Sequence, residues 1–208
     1  MFAPGAAPYL AFGGAALVAF GLAWWFTGGA FFLPVLASLI VLGAGWGFFV
    51  VFFRDPERAP GAGVVSAADG RVREVVSIGD RVTISVFMNV SDVHVNRLPL
   101  DGQFTRIDSS GRGHRPAFAA DAAKNVSRTY ELSTSVGPVE LVQVTGIFAR
   151  RLVSFVKVGQ THLKGERLGM IVFGSRVDLT LPADRVRVTV RAGQRVRAGT
   201  STVAELRA

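Results

Sequence analysis

Polar and apolar positions divide this chain into two unlike parts. Residues 1–53 contain no Asp, Glu, Lys or Arg, and the first charge is Arg54. Within that stretch, residues 8–27 and 31–53 form two apolar runs, broken at Thr27-Gly28-Gly29, with Pro34 just beyond. Each run is about twenty residues, the length an α-helix needs to cross the hydrocarbon core of a bilayer. Trp24, Trp25 and Phe26 close the first run, where aromatic rings favour the membrane interface. So short a link predicts a helical hairpin with both ends on one side. Arg54 and Arg58 then place the following domain on the cytoplasmic side of the cell (inner) membrane, by the positive-inside rule. A secretory signal would show basic residues ahead of the apolar run and no second run behind it. A hairpin that only dips into one leaflet is the alternative to a full crossing.

Beyond Arg54 the pattern changes to short, Val- and Ile-rich segments separated by Gly, Pro or Asp. The alternation predicts strands over 71–77, 81–88, 104–107, 128–134, 139–144, 152–158, 168–173, 177–181 and 186–190. Long amphipathic helical patterns are absent. The expected fold is therefore mostly β: an antiparallel, hairpin-built, barrel–sandwich-like domain over 54–208, behind a helical membrane hairpin over 1–53. Residues 109–127 carry no strand signal and read as a long loop, of the kind that is usually functional or mobile. A weak repeat is visible as well. Val156-Lys-Val-Gly159-Gln160 with Gly165 matches Val190-Arg-Ala-Gly193-Gln194 with Gly199, both glycines shifting by 34 positions. Such units resemble the hairpin pairs of biotinyl- and lipoyl-carrier domains, although Val-x-x-Gly-Gln is also ordinary hairpin grammar.

Composition narrows the chemistry. All 38 charged residues lie in the last 155 positions, and the formal charge is +8. That charge suits an anionic partner, and its attachment to an apolar anchor favours a membrane surface over nucleic acid. A nucleic-acid domain would cluster basic and aromatic residues on one face. Here arginines alternate along strands, as in Arg185-Val-Arg187. With no cysteine in the chain, disulfides, thiolate metal sites and thiol nucleophiles are excluded. His94, His114 and His162 have no metal-ligand spacing partners, so no metal is expected.

Phe173-Gly174-Ser175-Arg176 contains the chain's single Gly-Ser pair, set between two apolar strands rather than in a polar linker. Alone it reads as a turn. Its flanks, Gly165-Glu166-Arg167-Leu168-Gly169-Met170-Ile171-Val172 before and Val177-Asp178 after, resemble the self-cleavage segment of the short phosphatidylserine decarboxylases. Val65-Ser66-Ala67-Ala68-Asp69-Gly70 resembles that family's Asp-Gly segment. Asn89-Val90-Ser91-Asp92-Val93-His94-Val95-Asn96-Arg97-Leu98-Pro99 resembles its histidine segment. The resemblance runs from about residue 50 to the end, with the motifs in family order.

The resemblance implies a pyruvoyl-dependent carboxy-lyase made as a zymogen. Self-cleavage between Gly174 and Ser175 would give a large chain, 1–174, and a small chain, 175–208, held together as a heterodimer. Ser175 would become the pyruvoyl cofactor, whose carbonyl forms a Schiff base with the serine headgroup of phosphatidylserine in the bilayer. Loss of carbon dioxide would then leave phosphatidylethanolamine. A carbonyl of this kind accepts the electron pair that ordinary side chains cannot. Glycine upstream leaves the attacked carbonyl open. His94 is the expected proton-transfer group. Asp69 either orients a histidine or takes part in self-cleavage, or is simply a turn-forming Asp-Gly. Longer bacterial relatives carry a second histidine where this chain has Arg97. Either His94 serves both steps or another group assists in one. Arg97 suits a phosphate or carboxylate of the substrate, or a surface ion pair. His114, with Arg112 and Arg115, suits a loop closing over the headgroup, or a solvated basic loop. The competing function is a non-catalytic, membrane-anchored carrier- or adaptor-like β-hairpin module. Assembly into higher oligomers is left open.

Overall fold

The computed structural model describes residues 1–26, 32–111, 113, 125–146, 151–172 and 175–207, with the backbone alone for Phe32 and Ser175. It divides into two compact units, Met1–Pro56 and Glu57–Ala208.

In the first unit, α1 (Ala7–Phe26) and α2 (Phe32–Phe52) form the expected hairpin. Both are long and apolar enough to cross a membrane. Large side chains such as Phe12, Trp25, Phe26 and Val41 lie exposed on them, as lipid-facing positions would be. Trp46 Nε1 donates to the Leu10 carbonyl at 3.0 Å. The two ends of the hairpin are tied together, because Ala3 N donates to Phe53 O and Asp55 N to Met1 O, each at 2.8 Å.

The second unit is mostly antiparallel sheet, as the alternation predicts. Its strands are β1 (Val64–Val65), β2 (Gly70–Ile78), β3 (Arg81–Met88), β4 (Val95–Arg97), β5 (Gly102–Ser110), β6 (Ser127–Thr134), β7 (Gly137–Thr145), β8 (Arg151–Ser154), β9 (Thr161–His162), β10 (Arg167–Val172), β11 (Ser175–Pro182), β12 (Val186–Val188), β13 (Arg195–Val196) and β14 (Thr202–Leu206). They build an eight-stranded sheet, ordered β13-β2-β3-β11-β7-β6-β5-β9, and two three-stranded sheets, β1-β14-β12 and β4-β10-β8. None of these sheets closes into a barrel among the described residues. Alternation sorts the large sheet. Val177, Leu179 and Leu181 of β11 are buried in the core, while Arg176 and Asp178 pair on the opposite face. One continuous core joins the large sheet to both small ones, through residues such as Ile84, Leu141, Leu168, Ile171 and Val203.

Several expected boundaries shift. The strand expected over 152–158 ends at Ser154, whose hydroxyl accepts from Val156 N and donates to Val156 O in a local turn. The loop expected over 109–127 is shortened at both ends, because β5 runs to Ser110 and β6 starts at Ser127. Between them a bridge pairs Gly113 with Asn125. His114, Arg112 and Arg115 lie outside the described residues.

The 34-residue echo turns out to be the visible edge of a complete duplication. β4 to β10 reproduce β1, β2, β3, β11, β12, β13 and β14 in the same order and with the same neighbours. The inner copy is therefore inserted into the outer one between β3 and β11. Details match across the copies. Gly70 opens β2 as Gly102 opens β5, and both strands carry a bulge, at Val72/Glu74 and Phe104/Arg106. Ala198 N donates to Asp69 Oδ1 at 2.8 Å as Lys164 N donates to Asp101 Oδ1 at 2.6 Å. Gly159 and Gly193 share φ +85°. In the inner copy β6 and β7 face each other at Thr134 and Gly137 across a two-residue turn. In the outer copy the equivalent pair is Met88 and Ser175, and the whole inner copy replaces the turn.

Gly70 shows how tightly the outer copy is built. Its φ is +142°, and a Cβ there would lie 2.1 Å from the Phe87 carbonyl oxygen. Gly70→Ala is expected to destabilise the domain by at least about 3 kcal/mol, through strain plus a backbone collision. Urea unfolding of the variant measures this.

Candidate active site

Ser175 begins β11, the strand between β3 and β7, in register with Met88 on one side and Thr145 on the other. β10 ends at Val172 in a different sheet. The expected cleavage bond, Gly174–Ser175, thus falls at a crossover between sheets. Gly174 itself lies outside the described residues.

His94 reaches this crossover from the position just before β4. Ile171 N donates to its carbonyl at 3.4 Å. The His94 side chain is fully buried, and Nδ1 lies 2.9 Å from the Asp92 carbonyl. A carbonyl only accepts, so the neutral ring carries its proton on Nδ1 and its basic lone pair on Nε2. Asp92 is in turn fixed from two sides: its Oδ2 accepts from Asn89 N at 2.8 Å and its Oδ1 from Arg195 at 2.9 Å. Arg195 belongs to the segment that would become the small chain.

Asp69 is placed nearby, since Gly70 packs on the Phe87–Met88 backbone opposite Ser175. Its carboxylate is not what orients His94. Arg58 grips it through both oxygens at 2.5 and 2.9 Å, and Ala198 N donates to Oδ1. The duplication separates these roles. The Ala198 bond recurs at Asp101 and is a turn staple common to both copies, whereas the Arg58 clamp is described for Asp69. Both side chains are only 11% exposed, so the pair is well shielded from solvent.

Arg97 is buried, with Nη1 donating to the Gly165 carbonyl at 2.9 Å. It closes β4, three residues after His94, and lines a cleft of about 480 Å³ with Arg58, Lys164, Arg167, His162 and Glu166. His162, which sequence reading left without a role, sits on β9 and meets Glu166 at 2.7 Å through Nδ1. Among the described residues, no cluster of three His, Cys, Asp or Glu could hold a metal ion.

A buried polar chain runs behind the site. Tyr130 Oη donates to Gln143 Oε1 at 2.9 Å, and Gln143 Nε2 donates to Asn96 Oδ1 at 2.7 Å. Asn96 Nδ2 approaches Met88 Sδ at 3.6 Å. Burial pushes the Tyr130 phenol above its ordinary value of 10.0, so it stays a donor at neutral pH. Above about pH 10 the unfolded chain loses this proton while the folded chain keeps it, so stability falls as pH rises. Tyr130→Phe is expected to remove that limb when the unfolding midpoint is followed from pH 9 to 11.

Comparison with known proteins places the chain in a family. The sequence model for phosphatidylserine decarboxylase matches residues 47–204. The chain belongs to the phosphatidylserine decarboxylase family. Among curated family members, a Methanosarcina acetivorans protein named as an archaetidylserine decarboxylase proenzyme is 38% identical over 211 residues, covering 100% of this chain and 98% of that one. One of the same name from Halobacterium salinarum is 45% identical over 169 residues, covering 79% and 84%. A phosphatidylserine decarboxylase proenzyme of Thermobifida fusca is 43% identical over 169 residues, covering 80% and 74%. All three names describe precursors. Within this family frame, sequence reading missed Asp92, Arg58 and Gln143 as contributors to the site. Gln143 did leave a signal, because it is polar at the inward parity set by Val139 and Leu141.

Proposed function

We propose that this protein decarboxylates the serine headgroup of a membrane phospholipid, phosphatidylserine or its archaetidyl analogue, using a pyruvoyl group made from Ser175. The observation that carries the reading is the crossover: Ser175 opens β11 in one sheet, β10 ends at Val172 in another, and His94 is bonded to β10 beside it.

Cutting there interrupts no strand, so the fold accommodates the cleavage. In the first step the Ser175 hydroxyl attacks the Gly174 carbonyl and the peptide bond becomes an ester. Removal of the Ser175 α-proton then expels the ester oxygen. Residue 174 keeps a carboxylate, and residue 175 becomes dehydroalanine. Addition of one water and loss of one ammonia leave the pyruvoyl group at the head of the small chain. That group supplies an acceptor for the electron pair released with carbon dioxide. The Nε2 lone pair of His94 takes the serine proton in the first step, and the same nitrogen returns a proton to the headgroup carbon after carbon dioxide leaves. Asp69 and Arg97 are held by Arg58 and Gly165 respectively, which leaves the proton work to His94 among these three. Asp69 supports the Gly70–Met88 backbone behind Ser175. Arg97, with its neighbours in the cleft, offers the guanidinium that suits a phosphate oxygen, and His114 belongs to the segment proposed to close over it.

The small chain stays bound after cleavage, because β11 lies between β3 and β7, β13 pairs with β2 and β14 with β1. The apolar hairpin holds the catalytic unit at the cell membrane, on the cytoplasmic face. Intact-mass spectrometry of the purified protein tests the reading. Two chains are expected, 1–174 and 175–208, the second lighter by one ammonia than a serine terminus. A single uncleaved chain that is inactive on phosphatidylserine overturns it, and leaves the carrier-like module as the alternative.

A further inference from the structure

The duplication provides an internal control for the buried polar chain. Strand register equates Gln143 with Leu181, Tyr130 with Ile84 and Gly169 with Ala204. Asn96 corresponds to the Val64–Val65 strand. All of these outer-copy residues are buried in the core. The fold therefore packs these positions with apolar side chains in one copy, and does not require polar ones. In the inner copy they are Asn, Gln and Tyr, each fully buried. Burying amides and a phenol brings a desolvation penalty that only satisfied hydrogen bonds offset. Gly169 makes room for them. A Cβ there would lie 2.5 Å from the Val153 carbonyl and 3.3 Å from both Gln143 Nε2 and Tyr130 Oη.

Position shows what the polar chain touches. Asn96 lies on β4, two residues beyond His94, which immediately precedes that strand. Gln143 stands opposite Val177 in β11, two residues from Ser175. Met88, at the end of the chain, is the register partner of Ser175. β4 belongs to one sheet, while β7, β11 and β3 belong to another. The Gln143–Asn96 bond is thus a side-chain bridge between the sheet whose strand β4 directly follows His94 and the sheet carrying Ser175. Cleavage after Gly174 removes the covalent link from β10 to β11 at this crossover, and the bridge remains.

We propose that Asn96, Gln143 and Tyr130 are positioning residues, which hold the strand that follows His94 at a fixed distance from residue 175 once the chain has been cut. The inference rests on Ser175 and His94 forming the site. Its test is a triple variant carrying the apolar character of the outer copy: Asn96→Val, Tyr130→Phe and Gln143→Leu. Removing the three together leaves none of them facing an orphaned member of the chain, and Ser154 beside Tyr130 keeps its Val156 bonds, so stability should change little. In the full-length protein, with phosphatidylserine in mixed micelles, kcat is expected to fall 10- to 100-fold. KM should stay within about twofold and the melting temperature within a few degrees. Cleavage of the precursor should slow as well. A lower melting temperature with unchanged kcat would mean a merely structural network and would overturn the proposal. If the triple variant does not fold, Tyr130→Phe alone, which removes one hydroxyl, is expected to lower kcat 3- to 10-fold at constant KM. Unchanged kcat there overturns the proposal equally. A wild-type protein that neither cleaves nor turns over defeats the site reading itself, whereas an active wild type with a fully active variant defeats only the network.

Discussion

Ser175→Ala is expected to run as one 208-residue chain and to release no carbon dioxide from phosphatidylserine. The substitution removes one oxygen, yet that oxygen has two tasks. It is the nucleophile that attacks the Gly174 carbonyl, and it is the leaving group whose departure makes dehydroalanine. Alanine supplies neither, so no partial activity is expected. The structural effect should be small, because residue 175 sits at the start of a strand whose backbone pairs on both sides. Circular dichroism and the melting temperature should therefore match those of the wild type, and the loss of activity will not be a folding defect. A variant that still appears as two fragments would move the cleavage elsewhere. A variant that stays whole but remains active would detach the chemistry from Ser175 altogether.

How much of this was legible beforehand depends on what each segment shows to a one-dimensional reading. The hairpin was plain, because 53 uncharged residues admit few other interpretations. β3 was read to the residue, since alternation over Arg81–Met88 is undisturbed by Gly or Pro. β4 was invisible. Its three residues, Val95, Asn96 and Arg97, are all buried, so polar and apolar positions do not alternate. The two-residue strands β1, β9 and β13 are too short to carry any period. The duplication surfaced only at its Gly-Gln turns. Corresponding positions drift from 32 apart at Gly70 and Gly102 to 34 at Gly159 and Gly193, and one copy is split by the other. A search at one fixed period cannot follow that.

The site divides in the same way. Ser175 and His94 are proposed on segments that resemble a family's. Arg58 was seen only as a charge beside a membrane, because nothing in sequence connects it to Asp69, eleven positions away. Asp92 contributes through a backbone carbonyl, a role any residue type could fill.

The geometry around His94 makes possible a cleaner experiment than deletion. Its Nδ1 donates to the Asp92 carbonyl, and its Nε2 carries the lone pair proposed to move protons. In His94→Asn the side-chain amide nitrogen occupies roughly the place of Nδ1 and can keep the Asp92 bond. The basic nitrogen is lost. Folding should therefore be preserved, while proton transfer is not. Loss of a general acid–base group lowers rates by roughly 10² to 10⁴, and turnover by the cleaved enzyme is expected to fall in that range. Because the same nitrogen is proposed to activate Ser175, precursor cleavage, followed by gel over hours, should slow as well. The two rates answer the question that Arg97 raises. If both fall, His94 serves both steps, as expected with Asp69 clamped by Arg58 and Arg97 held on Gly165. If cleavage proceeds at the wild-type rate while turnover collapses, another group activates Ser175, and the proposed double duty is wrong. If neither changes in a folded variant, His94 is a structural histidine, and its burial beside β10 has no catalytic meaning.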